Sequence, residues 1–158
     1  IGGGDWSKDR IFPDAIRALK NKEKILIRNK ESTRPWQHIL DPLFGYLTLA
    51  EKLSLKENKF CDSFNFGPDL QSNKSVKVLV ETILSYWDGS WEDLQIKEDF
   101  HEASLLNLNV DKANQILDWR PKWDFQYSVQ KTVEWYKSTH EGQDPFQACL
   151  KDIYSFMN

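Results

Sequence analysis

The stretches of this chain that read as strands are too short and too few to make a sheet of their own. Lys24 to Arg28 alternates weakly, Phe60 to Phe66 is an aromatic-rich run that stops at Gly67-Pro68, and Leu94-Gln95-Ile96 is a third short candidate. Elsewhere apolar residues recur at helical spacing. The expectation is therefore a mostly helical α/β fold with a few short strands, in which Phe60 to Phe66 belongs to a larger sheet. A length of 158 residues fits one domain, so residues 1–158 are read as a single unit.

Helix signals are frequent. An amphipathic helix is expected from Pro13, with Ile16 and Leu19 on its apolar side and Asn21 near its end. Asp41-Pro42 reads as a capped start, after which Leu43, Tyr46, Leu47 and Ala50 share one face expected to be buried. Ser75 caps the clearest period in the chain, Val76, Leu79, Val80, Ile83, Leu84 and Trp87. Asn109 opens a short helix through Leu117, and Asp124 caps a longer one bearing Val129, Val133 and Tyr136. A last helix follows Pro145, with Phe146, Cys149, Leu150, Ile153, Tyr154 and Met157 as its expected apolar side.

A net charge of −3 provides no global field for nucleic acid or an anionic membrane, and no apolar run reaches spanning length. Any anionic ligand must be held by locally placed arginines. Cys61 and Cys149 have neither metal-ligand nor CxxC spacing, which fits a reducing, cytoplasmic setting. One local sequence offers a suitable arginine. In Thr33-Arg34-Pro35-Trp36-Gln37-His38-Ile39-Leu40-Asp41, Arg34 stands beside two rigid groups and runs straight into a helix start. A guanidinium so fixed presents paired planar donors that match phosphate oxygens. The chain opens Ile1-Gly2-Gly3-Gly4-Asp5-Trp6 without an initiator Met, as if a strand had been cut before its loop. We expect the C-terminal part of a larger protein.

These segments, with Asp9-Arg10-Ile11-Phe12-Pro13-Asp14, Gly45-Tyr46-Leu47, Asn65-Phe66-Gly67-Pro68, His101-Glu102-Ala103, Leu117-Asp118-Trp119-Arg120-Pro121 and Thr132-Val133-Glu134-Trp135-Tyr136, occur in a familiar order. Together they resemble the C-terminal region of the nucleotide-sugar 4,6-dehydratases, extended short-chain dehydrogenase/reductases, and most specifically the CDP-glucose branch. The resemblance covers nearly the whole chain. It implies the substrate-binding portion of an NAD-binding Rossmann enzyme, a lyase that oxidises C4 of a nucleotide sugar, eliminates water across C5 and C6, and returns hydride to C6. CDP-glucose is the implied substrate, and deoxysugar and O-antigen synthesis the implied setting. NAD is implied for the parent enzyme and not for this chain, because the glycine fingerprint and the catalytic segment of the family lie N-terminal to the matching region. Homodimerisation of the parent, through N-terminal helices, is implied likewise.

Carried over by position, the resemblance makes Arg34 a diphosphate ligand. It places Arg10 near phosphate or sugar hydroxyls and His101 against the diphosphate. Ile27 and Arg28 end a strand whose backbone lies along the pyrimidine, where a carbonyl could tell cytosine from uracil. Asn65 is read as securing a turn, with ligand contact the lesser reading, and His38 as an interior structural residue. No residue is assigned to catalysis. Tyr127-Ser128-Val129-Gln130-Lys131 does fit a Tyr-x-x-x-Lys spacing, but on a helix far from the family's catalytic position. Two rival readings remain open: part of a sister epimerase or reductase acting on another nucleotide sugar, and a stand-alone, non-catalytic binding module.

Overall fold

The computed structural model describes residues 1–94 and 106–158. Among the described residues, helices α1 (Ile11–Lys20), α3 (Val76–Leu84) and α5 (Phe125–His140) enclose the larger of two apolar cores. Phe12, Ile16 and Leu19 of α1 meet Leu79, Val80 and Ile83 of α3 and Val129 and Val133 of α5, all buried. The periodicities of α3 and α5 therefore face inward as read. Their caps are also in place: Ser75 Oγ accepts from Val78 N at 3.3 Å, and Asp124 Oδ1 from Tyr127 N at 2.8 Å. Helix α1 starts two residues before Pro13, which lies in its first turn, where a missing N–H goes unneeded.

Among the described residues, four strands of three residues make two separate pairs. Strand β1 (Ile25–Ile27) runs parallel to β4 (Trp91–Asp93), with Ile25 opposite Trp91. Lys24 to Glu92 at 3.0 Å and Lys30 to Asp93 at 2.9 Å strap the pair at either end. Ile25 and Ile27 point into the main core while Leu26 is 53% exposed, the alternation expected of a strand with one covered face. Strand β2 (Thr33–Pro35) lies antiparallel to β3 (Asn73–Ser75), with Arg34 opposite Lys74. The Leu94 candidate strand is displaced: β4 ends at Asp93, Leu94 N donates to Ile27 O at 2.9 Å, and Gln95 and Ile96 lie outside the described residues.

The second core gathers Phe60, Ala113, Leu117 and Trp119, with Phe44, Leu49, Phe64 and Phe66 packed around them. It joins α2 (Leu40–Ser54) to α4 (Asp111–Leu117). Three expectations fail around it. The Phe60 to Phe66 run forms no strand; Asn58–Phe60 is a single 3-10 turn and the chain then wanders, turning three phenylalanines onto Trp119 and its neighbours. Asp41 is not the cap of α2, since Ile39 holds that position; its carboxylate is fully buried and accepts from Lys122 N at 2.7 Å. The anticipated inner face of α2 is its outer one. Leu43, Tyr46 and Leu47 are exposed because Phe44, Gly45 and Leu49 are the residues turned to the core. A Cβ on Gly45 would meet the Phe66 ring at 2.4 Å, so only glycine allows that approach.

Helix α6 (Pro145–Met157), capped by Asp144, repeats the reversal. It buries Ala148, Asp152 and Phe156, and leaves Phe146, Ile153, Tyr154 and Met157 exposed. Asp152 turns inward because Lys131 of α5, itself buried, lies 3.5 Å away. A charge pair sets this helix's rotation, and an apolar count cannot see that. The short α4 begins beside Asn109, whose Oδ1 accepts from Asp111 N at 3.0 Å. It ends at Asp118, a left-handed residue with φ 55° that lets Trp119 N reach back to Ala113 O.

Candidate functional site

A cleft of about 1040 Å³ opens where the first residues of the chain meet α1, β1 and β2. Each element supplies a cation. Arg10 comes from the end of the opening segment, Arg17 from α1, Arg28 from just past β1 and Arg34 from the middle of β2. Leu26 and Trp36 add apolar surface, and Tyr136 of α5 lies at the back. Carboxylates are interleaved with the arginines. Asp14 engages the Arg17 guanidinium, and Asp9 Oδ1 accepts from Arg28 at 3.4 Å.

Local structure explains the presentation of Arg34. Its strand partner is Lys74, and its Nη1 donates to the Thr33 carbonyl at 2.8 Å, which folds the side chain back along its own strand. Trp36 is fixed next to it, with Nε1 donating to Lys74 O at 2.8 Å. The pair thus stands on a hydrogen-bonded ladder. At Ile27 the carbonyl already accepts from Leu94 N, and the buried side chain faces the core. The exposed surface that β1 gives the cleft is Leu26, which the sequence reading passed over.

The remaining assigned residues lie elsewhere. Asn65 is outside the cleft, its Nδ2 donating to Asn109 O at 3.2 Å, a link between the wandering segment and the start of α4. His101 falls outside the described residues. His38 is interior, 2% exposed, with its ring 4.7 Å from that of Trp123. Burial holds its imidazole down at about 3, helped by the N-terminal ammonium and Lys131, so it is neutral at ordinary pH. Burial has the opposite sign for the Asp41 carboxyl, pushed up to about 6 against the pull of the Lys122 and Trp123 amides. The Tyr127–Lys131 spacing is accounted for by packing. Lys131 is paired with Asp152 and sits over the rings of Trp123 and Tyr127, Tyr127 Oη lies 3.1 Å from Ser155 Oγ, and neither residue lines the cleft.

The opening glycines do not form a phosphate cradle. A Cβ on Gly3 would fall 2.0 Å from the Trp135 ring and one on Gly2 2.6 Å from Ile39, so both are used for close packing. Arg10, in extended conformation, is the residue that precedes α1.

No family model matches the chain. It is 39% identical, over the whole of its length, to a CDP-glucose 4,6-dehydratase of Salmonella typhimurium, and spans 44% of that relative. Its fold matches the dTDP-glucose 4,6-dehydratase of Bacillus anthracis, solved in complex with NAD, at a TM-score of 0.70 and 21% identity, over 90% of this chain and 44% of that one. The UDP-glucuronic acid 4-epimerase of Bacillus cereus, solved with UDP-glucuronic acid and NAD, follows at a TM-score of 0.65 and 18% identity, over 83% of this chain and 40% of that one. Mostly helical, with few short strands, the chain shares its fold with these solved structures and is similar along its whole length to a CDP-glucose 4,6-dehydratase, of whose length it spans less than half.

Proposed function

We propose that this chain supplies the nucleotide-sugar-binding part of a CDP-glucose 4,6-dehydratase. The observation that carries the reading is that Arg10, Arg28 and Arg34, from three separate segments, open into one cleft beside Trp36. Identity of 39% along the whole of this chain to part of a dehydratase of that specificity supports CDP-glucose as the ligand. Guanidinium groups suit the diphosphate, where charge-assisted bonds are strongest, and Trp36 and Leu26 suit the base or sugar. The complete enzyme would be an NAD-dependent hydro-lyase, its cofactor and proton-transfer groups lying in the part of the relative that this chain does not span. A cytoplasmic homodimer is the expected form of that enzyme. Among the described residues no helix is long and apolar enough to cross a membrane.

Calorimetric titration tests this. CDP and CDP-glucose are expected to bind the chain, UDP and dTDP more weakly, and NAD not at all. Equal affinity for all the nucleotides would favour the sister-epimerase reading, and no nucleotide binding would favour a different kind of module. A micromolar dissociation constant for NAD would overturn the division of labour.

A further inference from the structure

Three consecutive backbone carbonyls of the opening segment are taken by side chains from two helices. Tyr136 Oη on α5 donates to Asp5 O at 2.6 Å. Arg17 on α1 donates from Nη1 to Trp6 O at 3.0 Å and from Nη2 to Ser7 O at 2.9 Å. The same guanidinium is braced by Asp14. A planar fork can meet two successive carbonyls at once, which a lysine ammonium on a flexible stem cannot reproduce. Rings complete the clamp. Trp6 meets Tyr136 edge-on at 5.0 Å, and Tyr136 meets Trp135, the ring that forbids a side chain at Gly3, at 5.1 Å. Burial pushes the Tyr136 phenol up to about 12, so it remains a donor at any working pH.

The segment so held runs directly to Asp9, a left-handed residue with φ 61°, and then to Arg10 at the cleft. We propose that Arg17 and Tyr136 are positioning residues, which hold the wall of residues 5–10 so that Arg10 meets the anionic part of the ligand. This rests on the nucleotide reading of the cleft given above. In that arrangement the two residues contribute to binding through Arg10 and not through their own contact with ligand.

A double-mutant cycle reads this out. CDP affinity is measured by calorimetry for the unaltered chain, for Tyr136→Phe, Arg17→Met, Arg17→Lys and Arg10→Ala, and for each of the first three combined with Arg10→Ala. Hydrogen exchange over residues 2–10 is followed in parallel. Each positioning variant is expected to weaken CDP about tenfold and to speed exchange in the segment, with Arg17→Lys no better than Arg17→Met. In the Arg10→Ala background each is expected to add less than about twofold. Full, additive losses in that background would mean general destabilisation and overturn the proposal, as would unchanged affinity. Recovery of affinity in Arg17→Lys would show that charge alone matters and overturn it too. If the unaltered chain binds no CDP, the nucleotide reading fails and this inference with it. If it binds CDP and the variants bind equally well, only this inference fails.

Discussion

Arg34 and Asp41 stand seven residues apart and carry opposite kinds of prediction. Arg34→Ala removes a charge-assisted donor from the cleft, which is expected to weaken CDP by about ten- to a hundredfold. In a complete enzyme the loss should appear as raised KM with kcat nearly kept, because a diphosphate clamp lies away from the reacting carbons. A fall in kcat at constant KM would move Arg34 to the reacting centre. Asp41 concerns stability. Its folded pKa, about 6, lies above the ordinary value near 3.9, so the folded state holds the proton more tightly. Protonation therefore favours folding: the contribution is fully present below about pH 4 and lost as pH rises through about 6. Asp41→Asn keeps an acceptor for Lys122 N without the charge, and should flatten the pH dependence of stability over this window. Urea melts at pH 7 and pH 5 that shift equally in both proteins would refute this. Neither the depth of Asp41 nor its amide partners were legible in sequence, because Asp before Pro has the pattern of a cap. The expectation for Arg34 came from its rigid neighbours and above all from the family resemblance, and it does line a cleft.

Among the helices, those whose apolar sets face the main core, α1, α3 and α5, were read correctly, while α2 and α6 were read with the wrong side in. The physical reason differs in each case. In α2 a glycine admits the Phe66 ring to the helix surface and decides the rotation, although glycine scores as nothing in an apolar count. In α6 the buried pair of Asp152 with Lys131 decides it, and burial pushes the Asp152 carboxyl up despite the nearby ammonium. Strands were harder. Phe60 to Phe66 has a strand's composition, but its rings serve a local cluster around Trp119 instead. Of the caps read from sequence, Ser75 and Asp124 hold while Asp41 does not, and Asp124 makes a plain prediction. Asp124→Ala strips the acceptor from Tyr127 N at the head of α5 and should cost about 1 kcal/mol in urea denaturation. No measurable loss would mean that neighbouring packing alone fixes the helix start.

At the scale of the whole molecule, α2 and α6 each present exposed apolar side chains to solvent. Leu47 is 70% exposed, Tyr154 65% and Met157 60%. Apolar surface gathered in this way favours association. Light scattering over a dilution series is expected to show concentration-dependent growth, reduced by Leu47→Glu without a loss of melting temperature. A constant monomer mass at every concentration would show that these faces do not associate. The cleft, meanwhile, draws its walls from widely separated parts of the chain. The Tyr136 hydroxyl and the Asp5 carbonyl are 131 residues apart in sequence. Closing so long a loop carries an entropic cost that rises with the logarithm of its length, so such contacts form after local ones. On a ribosome, the glycine segment emerges before α5: Arg17 of α1 can hold Trp6 and Ser7 early, but the Asp5 carbonyl must wait for Tyr136. The cleft is thus among the last features to mature, and a chain arrested short of Tyr136 would carry its arginines beside a wall still missing its fastening to α5.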